Sequence, residues 1–264
     1  MADAPPDSAA SPQAPDATKL VPVTAEDVDR RRRKFVLSFT AAALLVSGGV
    51  WYVYKRSVDP IRAKQAYDAG VRLIQATRYD QAILNFDRAI DLLPDFADAY
   101  LMRARSYVAI YKPDAAIPDF TRVAAMRPKD PIPLAERGFA YLEQKNWARA
   151  IDDATRALAM NPKLGRAYNL RGTAVRAQGE LKRALEDFSR AVEYEPNLDN
   201  YFQRASTYQL TGEHKLAIAD FDQAVALSPE QPHTYFARAQ SRVALGDNLG
   251  AREDIRTGRK IDGW

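Results

Sequence analysis

The stretch that decides the fold is ALEDFSRAVEYEP, residues 184–196, because close variants of it recur along the chain. The prolines that end these variants lie 34, 34, 34 and 33 residues apart, at Pro94, Pro128, Pro162, Pro196 and Pro229. An alanine stands twelve residues before each proline. Four residues after that alanine comes a phenylalanine in four copies, and Ala154 in the third copy. A fixed period of this length predicts a stack of similar structural units.

Each unit contains two apolar patterns of helical period, separated by turn-forming residues such as QGE at 178–180. A small residue recurs in the first helix of each unit, at Gly70, Ala104, Gly138, Gly172, Ala205 and Ala239. Small residues at a helix crossing let the two helices approach closely. The proline ends the second helix because it cannot continue a hydrogen-bonded turn. One helical hairpin cannot bury its own apolar face, so the units are expected to stack.

This order of small, aromatic and proline positions resembles the tetratricopeptide repeat (TPR) family. The resemblance implies an all-α superhelical solenoid of six helix-turn-helix repeats, which we place at 63–96, 97–130, 131–164, 165–197, 198–231 and 232–264. Two departures carry predictions of their own. Pro118 lies inside the second helix of repeat 2, so this helix should begin late or be kinked. In repeat 3, Trp147 should fill part of the space beside Ala154.

The first 62 residues differ from the repeats. Residues 1–34 are rich in Ala and Pro, end in a basic collar, and are predicted to be disordered. Residues 35–54 carry no charge and are long enough to span a bilayer as a transmembrane helix. The apolar run continues through Val50 and Trp51 without a cleavage site, which favours a retained signal-anchor over a signal peptide. Residues 55–62 would form a short linker.

Two further features of this segment leave alternatives open. The pattern from Arg32 to Phe35 resembles a twin-arginine export signal, which is the alternative to a retained anchor. The five basic residues before the apolar run favour a cytoplasmic N-terminus. We therefore expect a single-pass protein of a bacterial inner membrane with its repeats in the periplasm. Ala43 and Ser47 could pack two anchors together as a homodimer.

Composition argues against several classes of function. The pI of about 9.2 reflects mostly the basic residues around the apolar run, and the repeats are close to neutral and show no basic stripe, so no nucleic acid is expected. The absence of cysteine excludes disulfides and thiolate chemistry. The two histidines, His214 and His233, belong to no recognisable ligand set or catalytic motif. We expect neither an enzyme nor a cofactor.

The repeats also predict ion pairs between their two helices. The residue before the small position is Arg in repeats 2 to 6, and the residue before the seam position is Asp in the same repeats. Repeat 1 has Ala69 and Asn85 there, and this joint absence favours pairing within a repeat. The expected pairs are Arg103–Asp119, Arg137–Asp153, Arg171–Asp187, Arg204–Asp220 and Arg238–Asp254.

The TPR resemblance also implies that the first helices line a groove that binds a protein partner. Carried over position by position, the groove would contain Tyr67, Val71, Ile74, Leu101, Arg105, Val108, Ile132, Phe139, Leu142, Arg166, Asn169, Thr173, Arg176, Phe202 and Phe236. It would be apolar in the first repeats and more polar later. The carboxylate clamp of chaperone-binding members is absent, since its positions hold Tyr67, Val71, Met102, Ile132 and Glu136.

These features together predict a membrane-anchored scaffold or chaperone-like assembly factor that binds a peptide or helix of another protein. Two alternatives stay open. One is an import-receptor type of TPR protein with a cytosolic solenoid, and the other is a client-holding factor in cytochrome c maturation.

Overall fold

The computed structural model describes residues 59–263 together with Arg30 and Gly49. The predicted tail and transmembrane helix otherwise lie outside the described residues, as do residues 55–58 of the linker. None of the described helices is long and apolar enough to cross a membrane.

Residues 59–263 form twelve α-helices and no strand, which confirms the all-α prediction of six helical hairpins. The helices are α1 (59–75), α2 (Tyr79–Leu92), α3 (Ala97–Ala109), α4 (Pro113–Met126), α5 (Ile132–Glu143), α6 (Trp147–Met160), α7 (Gly165–Ala177), α8 (Leu181–Tyr194), α9 (Leu198–Leu210), α10 (His214–Leu227), α11 (Pro232–Ala244) and α12 (Asn248–Asp262). Each odd-numbered helix pairs with the even-numbered helix that follows it, and successive pairs stack.

The hairpins form two layers, and the odd-numbered helices are the inner one. Helix α7 contacts both α5 and α9, and α9 contacts α11 as well as its own hairpin partner. In a curved stack, helices of equivalent position come closest together on the concave side. The first helices of the repeats therefore line the concave surface, which is where a partner can be enclosed.

Buried aromatic rings hold most hairpins closed. Phe86, Phe120, Phe188 and Phe221 are at most 1% exposed, and each lies on the second helix of its repeat. A Cβ atom added to Gly70 would lie 2.6 Å from Phe86 Cε1, and one added to Gly172 would lie 2.9 Å from the same atom of Phe188. The small residue of the first helix is therefore the space into which the ring of the second helix fits.

Repeat 3 has Ala154 in place of the phenylalanine, and the space beside its small residue is filled differently from the prediction. Trp147 does pack, half-buried, against the cluster that contains Ala154. The side chain that reaches the small position, however, is Leu170 of the next repeat, which is fully buried. Its Cδ2 would lie 2.4 Å from a Cβ atom added to Gly138. The space is thus filled from repeat 4 and not from within repeat 3.

Helix α4 does not begin late. It starts at Pro113, has 14 residues like α2, α6, α8 and α10, and runs through Pro118. Proline is favoured at a helix start, and Pro113 occupies that place. The missing N–H of Pro118 would otherwise have bonded to the carbonyl of Asp114, so the helix loses one hydrogen bond near its N-terminus and continues.

The turn inside each repeat contains one residue in the left-handed backbone region. Repeats 4 to 6 use Gly179, Gly212 and Gly246, for which this conformation is easy. Repeats 1 to 3 use Thr77, Tyr111 and Lys145 at φ of 56–57°. Side chains in this region cost roughly 1–2 kcal/mol each. The first three repeats therefore carry local strain that the last three avoid.

All five Arg–Asp pairs are present in the structure, each within its own repeat. The Nε and Nη2 atoms of each arginine donate to both carboxylate oxygens at 2.6–3.0 Å. The hydrogen bond to aspartate raises the pKa of Arg103, Arg137, Arg171 and Arg204 above the ordinary value. The aspartates are buried, so each needs its arginine to offset the cost of desolvation.

Three of these arginines also connect neighbouring repeats. Arg103 Nη1 donates to Asp87 of repeat 1, and Arg238 Nη1 donates to Asp222 of repeat 5, both at 2.6 Å. Arg137 Nη1 donates to Thr121 Oγ1 of repeat 2 at 2.9 Å. The acceptor is in each case the residue after the seam position of the preceding repeat. These arginines therefore tie the two helices of one hairpin to the hairpin before it.

Candidate functional site

Two adjoining recesses open on the concave surface. The first has a volume of about 240 Å³ and is lined by Arg105, Val108, Phe120, Glu136, Phe139 and Arg166. The second has a volume of about 440 Å³ and is lined by Phe139, Arg166, Asn169, Glu195, Asn197, Asp199, Asn200 and Gln203. The two recesses share Phe139 and Arg166 and so lie side by side across repeats 2 to 5; together we call them the inner groove.

A buried carboxylate lies at the centre of the first recess. Glu136 on α5 accepts hydrogen bonds from Nε and Nη2 of Arg105 on α3, the shortest at 2.6 Å. Arg166 on α7 adds a longer contact from Nη1, at 3.4 Å. The Glu136 side chain is 9% exposed, whereas those of Arg105 and Arg166 are 42% and 36% exposed. One carboxylate therefore links three successive repeats and partly neutralises two arginines that still face the groove.

The apolar part of the groove lies between these charges. Val108 is 36% exposed on α3, and Phe139 is half-buried on α5. The guanidinium carbon of Arg166 lies 5.7 Å from the centroid of the Phe139 ring, within cation–π range. This contact holds the ring in place and leaves Val108 and Phe139 as an apolar surface at the mouth of the recess.

The lining becomes polar towards repeat 5. Asn169 Nδ2 donates to Asn200 Oδ1 at 2.6 Å, and Asn200 in turn donates to the backbone carbonyls of Ala191 and Glu195. Gln203 accepts from Arg176 at 2.6 Å. Burial lowers the pKa of Arg176. Its guanidinium group donates hydrogen bonds to Gln203 and Thr207. Arg176 thus holds two inner helices together and is not free to bind a ligand.

The polar contacts between inner helices follow a regular spacing along the sequence. Arg105 contacts Glu136 and Asn169 contacts Asn200, 31 residues apart in each case. Arg176 and Thr207 are also 31 apart, and Gln209 and Ser241 are 32 apart. A separation of 31 residues is three less than the repeat length of 34. It therefore connects a side chain on one first helix to a side chain on the next first helix that lies about one turn nearer the start of its repeat. A search for complementary polar residues at this interval would have assigned Glu136 to the groove.

Only some of the residues predicted for the groove line the two recesses. The structure brings Arg105, Val108, Phe139, Arg166 and Asn169 together in the inner groove. Thr173, Val71 and Ile74 are half-buried on first helices but line neither recess. Glu136 and Phe120, which were not predicted, complete the first recess because the inner helices lie close enough to share it.

Several other predicted groove residues pack against neighbouring helices instead. Leu101 is buried with Phe120 and Ala140, so its assignment to the groove is wrong. Tyr67 contacts the rings of Phe86 and Phe96, and Phe202 contacts those of Phe221 and His233. Ile132 and Leu142 pack against the clusters around Leu134 and Leu170. Phe236 lines a separate cleft in repeat 6. Inner-layer side chains fill the gaps between repeats wherever two helices meet.

A larger depression, about 690 Å³, is a weaker candidate for a binding site. Its lining includes Arg171 and Asp187, which already form one of the five pairs, and Arg190, which pairs with Glu193. A ligand there would have to displace existing ion pairs. Within the described residues, no group of His, Asp or Glu side chains has the arrangement of a metal site.

Comparison with known families identifies the repeats directly. Models of the tetratricopeptide repeat match residues 67–131, 135–200 and 198–231, which together make up more than half of the chain. The comparison with curated proteins found no match.

Solved structures of the same fold are numerous but distant in sequence. A TPR protein from Thermus thermophilus is 21% identical, with a TM-score of 0.59 over 69% of this chain and 98% of its own. PilW, a type IV pilus biogenesis factor, is 19% identical, with a TM-score of 0.68 over 76% of this chain and 94% of its own. PilF of Pseudomonas aeruginosa is 16% identical, with a TM-score of 0.65 over 77% and 93%. At these identities the likeness shows the fold alone.

Proposed function

Because the chain belongs to the tetratricopeptide repeat family, we propose that it is a protein-interaction module that binds a segment of a partner protein in the inner groove. The observation that carries this proposal is the groove itself. Val108 and Phe139 offer an apolar contact on a surface whose neighbouring arginines already share a counter-ion. Exposed apolar side chains inside a concave channel are typical of a site for a protein partner.

The lining also indicates what kind of segment fits. The first recess, at about 240 Å³, has room for one large apolar side chain. Asn197, Asp199 and Gln203 in the second recess offer hydrogen bonds to polar groups that follow this anchor. The preferred ligand is therefore a segment with one large apolar residue followed by a polar stretch. A strongly acidic ligand is disfavoured, because Glu136, Glu195 and Asp199 already supply negative charge.

We propose further that residues 35–54 anchor the module in an inner membrane with the repeats in the periplasm. The support is the uncharged run of these residues and the basic collar before it. An assembly or chaperone-like role is the version we favour. One protein on the same fold, PilW, is a biogenesis factor.

Photo-crosslinking would test binding in the groove. A benzophenone side chain placed at Val108 in the full chain should form a discrete adduct with the partner in cells, and Phe139→Asp should abolish that adduct. Leu84, which is 67% exposed on α2, is the matched control position outside the groove. The same adduct from both positions, or an adduct unaffected by Phe139→Asp, would show that the partner does not use the inner groove.

Reporter fusions after residue 264 would test the topology independently. Alkaline phosphatase activity is expected, because the enzyme folds only after export. Fluorescence of a GFP fusion without phosphatase activity would place the repeats in the cytosol and favour the import-receptor type of protein.

A further inference from the structure

The outer helices carry two apolar positions that bind each repeat to the next. The first, three residues before the seam, is occupied by Ile83, Ile117, Ile151, Leu185 and Ile218. The second, four residues after the seam, is occupied by Ile90, Ala124, Leu158, Val192 and Val225. Both are apolar in all of the first five repeats.

Packing shows what these positions do. Ile151 of repeat 3 packs against Val175 and Phe188 of repeat 4. Ile90 of repeat 1 packs with Ala99 of repeat 2, and Leu158 of repeat 3 packs with Ala167 of repeat 4. A third position, directly after the seam, accepts the hydrogen bond from the arginine of the next repeat, as in Asp87 and Asp222. These three positions together form the stacking surface.

Repeat 6 has arginine at all three stacking positions. Arg252, Arg256 and Arg259 replace the aliphatic, the acceptor and the second aliphatic residue, and all three are exposed. Their spacing of four and three residues places them on one stripe of α12. Asp254 is buried against Arg238 and Arg242, whereas Glu253 lies beside the stripe, three residues before Arg256. Within residues 59–263 none of the three arginines forms an ion pair.

An apolar cleft adjoins this stripe. It has a volume of about 410 Å³ and is lined by Phe236, Ala239, Gln240, Val243 and Ile255. Ile255 lies one turn from both Arg252 and Arg259 on α12. Val243 is 54% exposed, whereas its counterpart in repeat 5, Gln209, is half-buried and donates hydrogen bonds to Ala237 and Ser241 of α11. The surface therefore combines an apolar cleft with a row of positive charge.

We propose that this surface of α11 and α12 binds an acidic amphipathic helix of another protein. Another repeat of this chain's own type is a poor occupant, since its first-helix arginine would meet Arg256 instead of an acceptor. An amphipathic helix could place leucine-like side chains in the cleft and carboxylates opposite Arg252, Arg256 and Arg259. Charge complementarity of this kind selects the partner and orients it. The site is separate from the inner groove and adds a second contact to the proposed function.

A designed peptide can serve as the probe. It would be capped, about 18 residues long so that it can form a stable helix, with leucine along one face and glutamate, glutamine and alanine elsewhere. Its affinity for the full chain would be measured by fluorescence anisotropy, with the same buffer and detergent lacking the protein as the blank. A second peptide with lysine in place of glutamate tests the sign of the charge.

Two variants with the same change in charge would locate the site. Arg252→Glu/Arg256→Glu/Arg259→Glu should weaken binding of the glutamate peptide at least tenfold. Lys163→Glu/Lys182→Glu/Lys215→Glu, at exposed positions elsewhere, should leave the affinity within about twofold. Val243→Asp tests the cleft without altering the arginines and should also weaken binding. The lysine peptide should bind at least tenfold more weakly than the glutamate peptide.

Several results would overturn the proposal. These are no binding of the glutamate peptide, equal binding of the lysine peptide, or equal weakening by the two triple variants. Sedimentation of the full chain provides a further check. A concentration-dependent dimer that the α12 triple variant converts to a monomer would show that a second copy occupies this surface, and not an acidic helix.

Discussion

Leu170 of repeat 4 occupies the space beside Gly138 of repeat 3, where repeats 1, 2, 4 and 5 place a phenylalanine from their own second helix. Leu170 is fully buried, and its Cδ2 would lie 2.4 Å from a Cβ atom on Gly138. The exchange of Phe for Ala154 is therefore compensated across a repeat boundary. It couples the stability of repeat 3 to the presence of repeat 4.

This coupling predicts a non-additive pair of substitutions. Gly138→Ala should lower the free energy of unfolding by about 1–3 kcal/mol, because Leu170 must move to admit the methyl group. Leu170→Ala should cost about 2–5 kcal/mol by leaving a cavity. The double variant should cost less than the sum of the two, as measured by urea unfolding. Strict additivity would show that the two side chains do not share this space.

The Arg137–Asp153 pair offers a test of the ion pairs, since its side chains are only 13% and 2% exposed. Arg137→Ala should destabilise the protein by about 3 kcal/mol because it removes two hydrogen bonds to a buried carboxylate, which keeps only a 3.8 Å contact to the exposed Arg156. Arg137→Met combined with Asp153→Leu should cost much less, because no charge is left alone. Thermal unfolding followed by circular dichroism would compare the variants. Equal losses in both would contradict this account of the pair.

The pairs should also be insensitive to moderately alkaline pH. Each raises the pKa of its arginine, so its contribution is complete below the unfolded-state pKa and is lost only as pH rises through the still higher folded-state value. Both values lie far above pH 9. The stability difference between wild type and Arg137→Met/Asp153→Leu should therefore be the same at pH 7 and pH 9. A difference that shrinks over this interval would contradict the assignment.

The strained turns predict a stabilising substitution. Lys145 has a φ of 56°, where repeats 4 to 6 have glycine. Lys145→Gly should raise the free energy of unfolding by up to about 1 kcal/mol, since relief of the left-handed strain exceeds the added freedom of the unfolded chain. Gly179→Ala, at a φ of 85°, is the matched control and should destabilise the protein. A loss of stability in Lys145→Gly would show that its side chain makes contacts worth more than the strain.

Much of the fold could be predicted because the repeats serve as comparisons for one another. The regular spacing of the five prolines from Pro94 to Pro229 predicted the helical hairpins. The absence of both Arg and Asp from repeat 1 indicated that the ion pairs form within a repeat. The start of α4 was misjudged at Pro118, because a proline near the N-terminus of a helix costs one hydrogen bond and need not move its boundary.

The candidate site was only partly predictable. Arg105, Val108, Phe139, Arg166 and Asn169 were expected in the groove and line it. Leu101 was also expected there, but packing between α3 and α4 buries it. In the sequence, Glu136 stands out only because it departs from the carboxylate clamp. Its role depends on two arginines from neighbouring repeats, and such contacts follow from how closely the inner helices approach.

The sequence by itself determined the helices, the hairpins and the order in which they stack, because apolar period, small residues and prolines act locally and recur in every repeat. The tertiary structure decided which inner side chains face a partner, which ones fill the space between repeats, and that Leu170 replaces a missing ring. The physical reason is that these outcomes depend on the volumes and charges of side chains from two or three different repeats at once, and no single repeat contains that information.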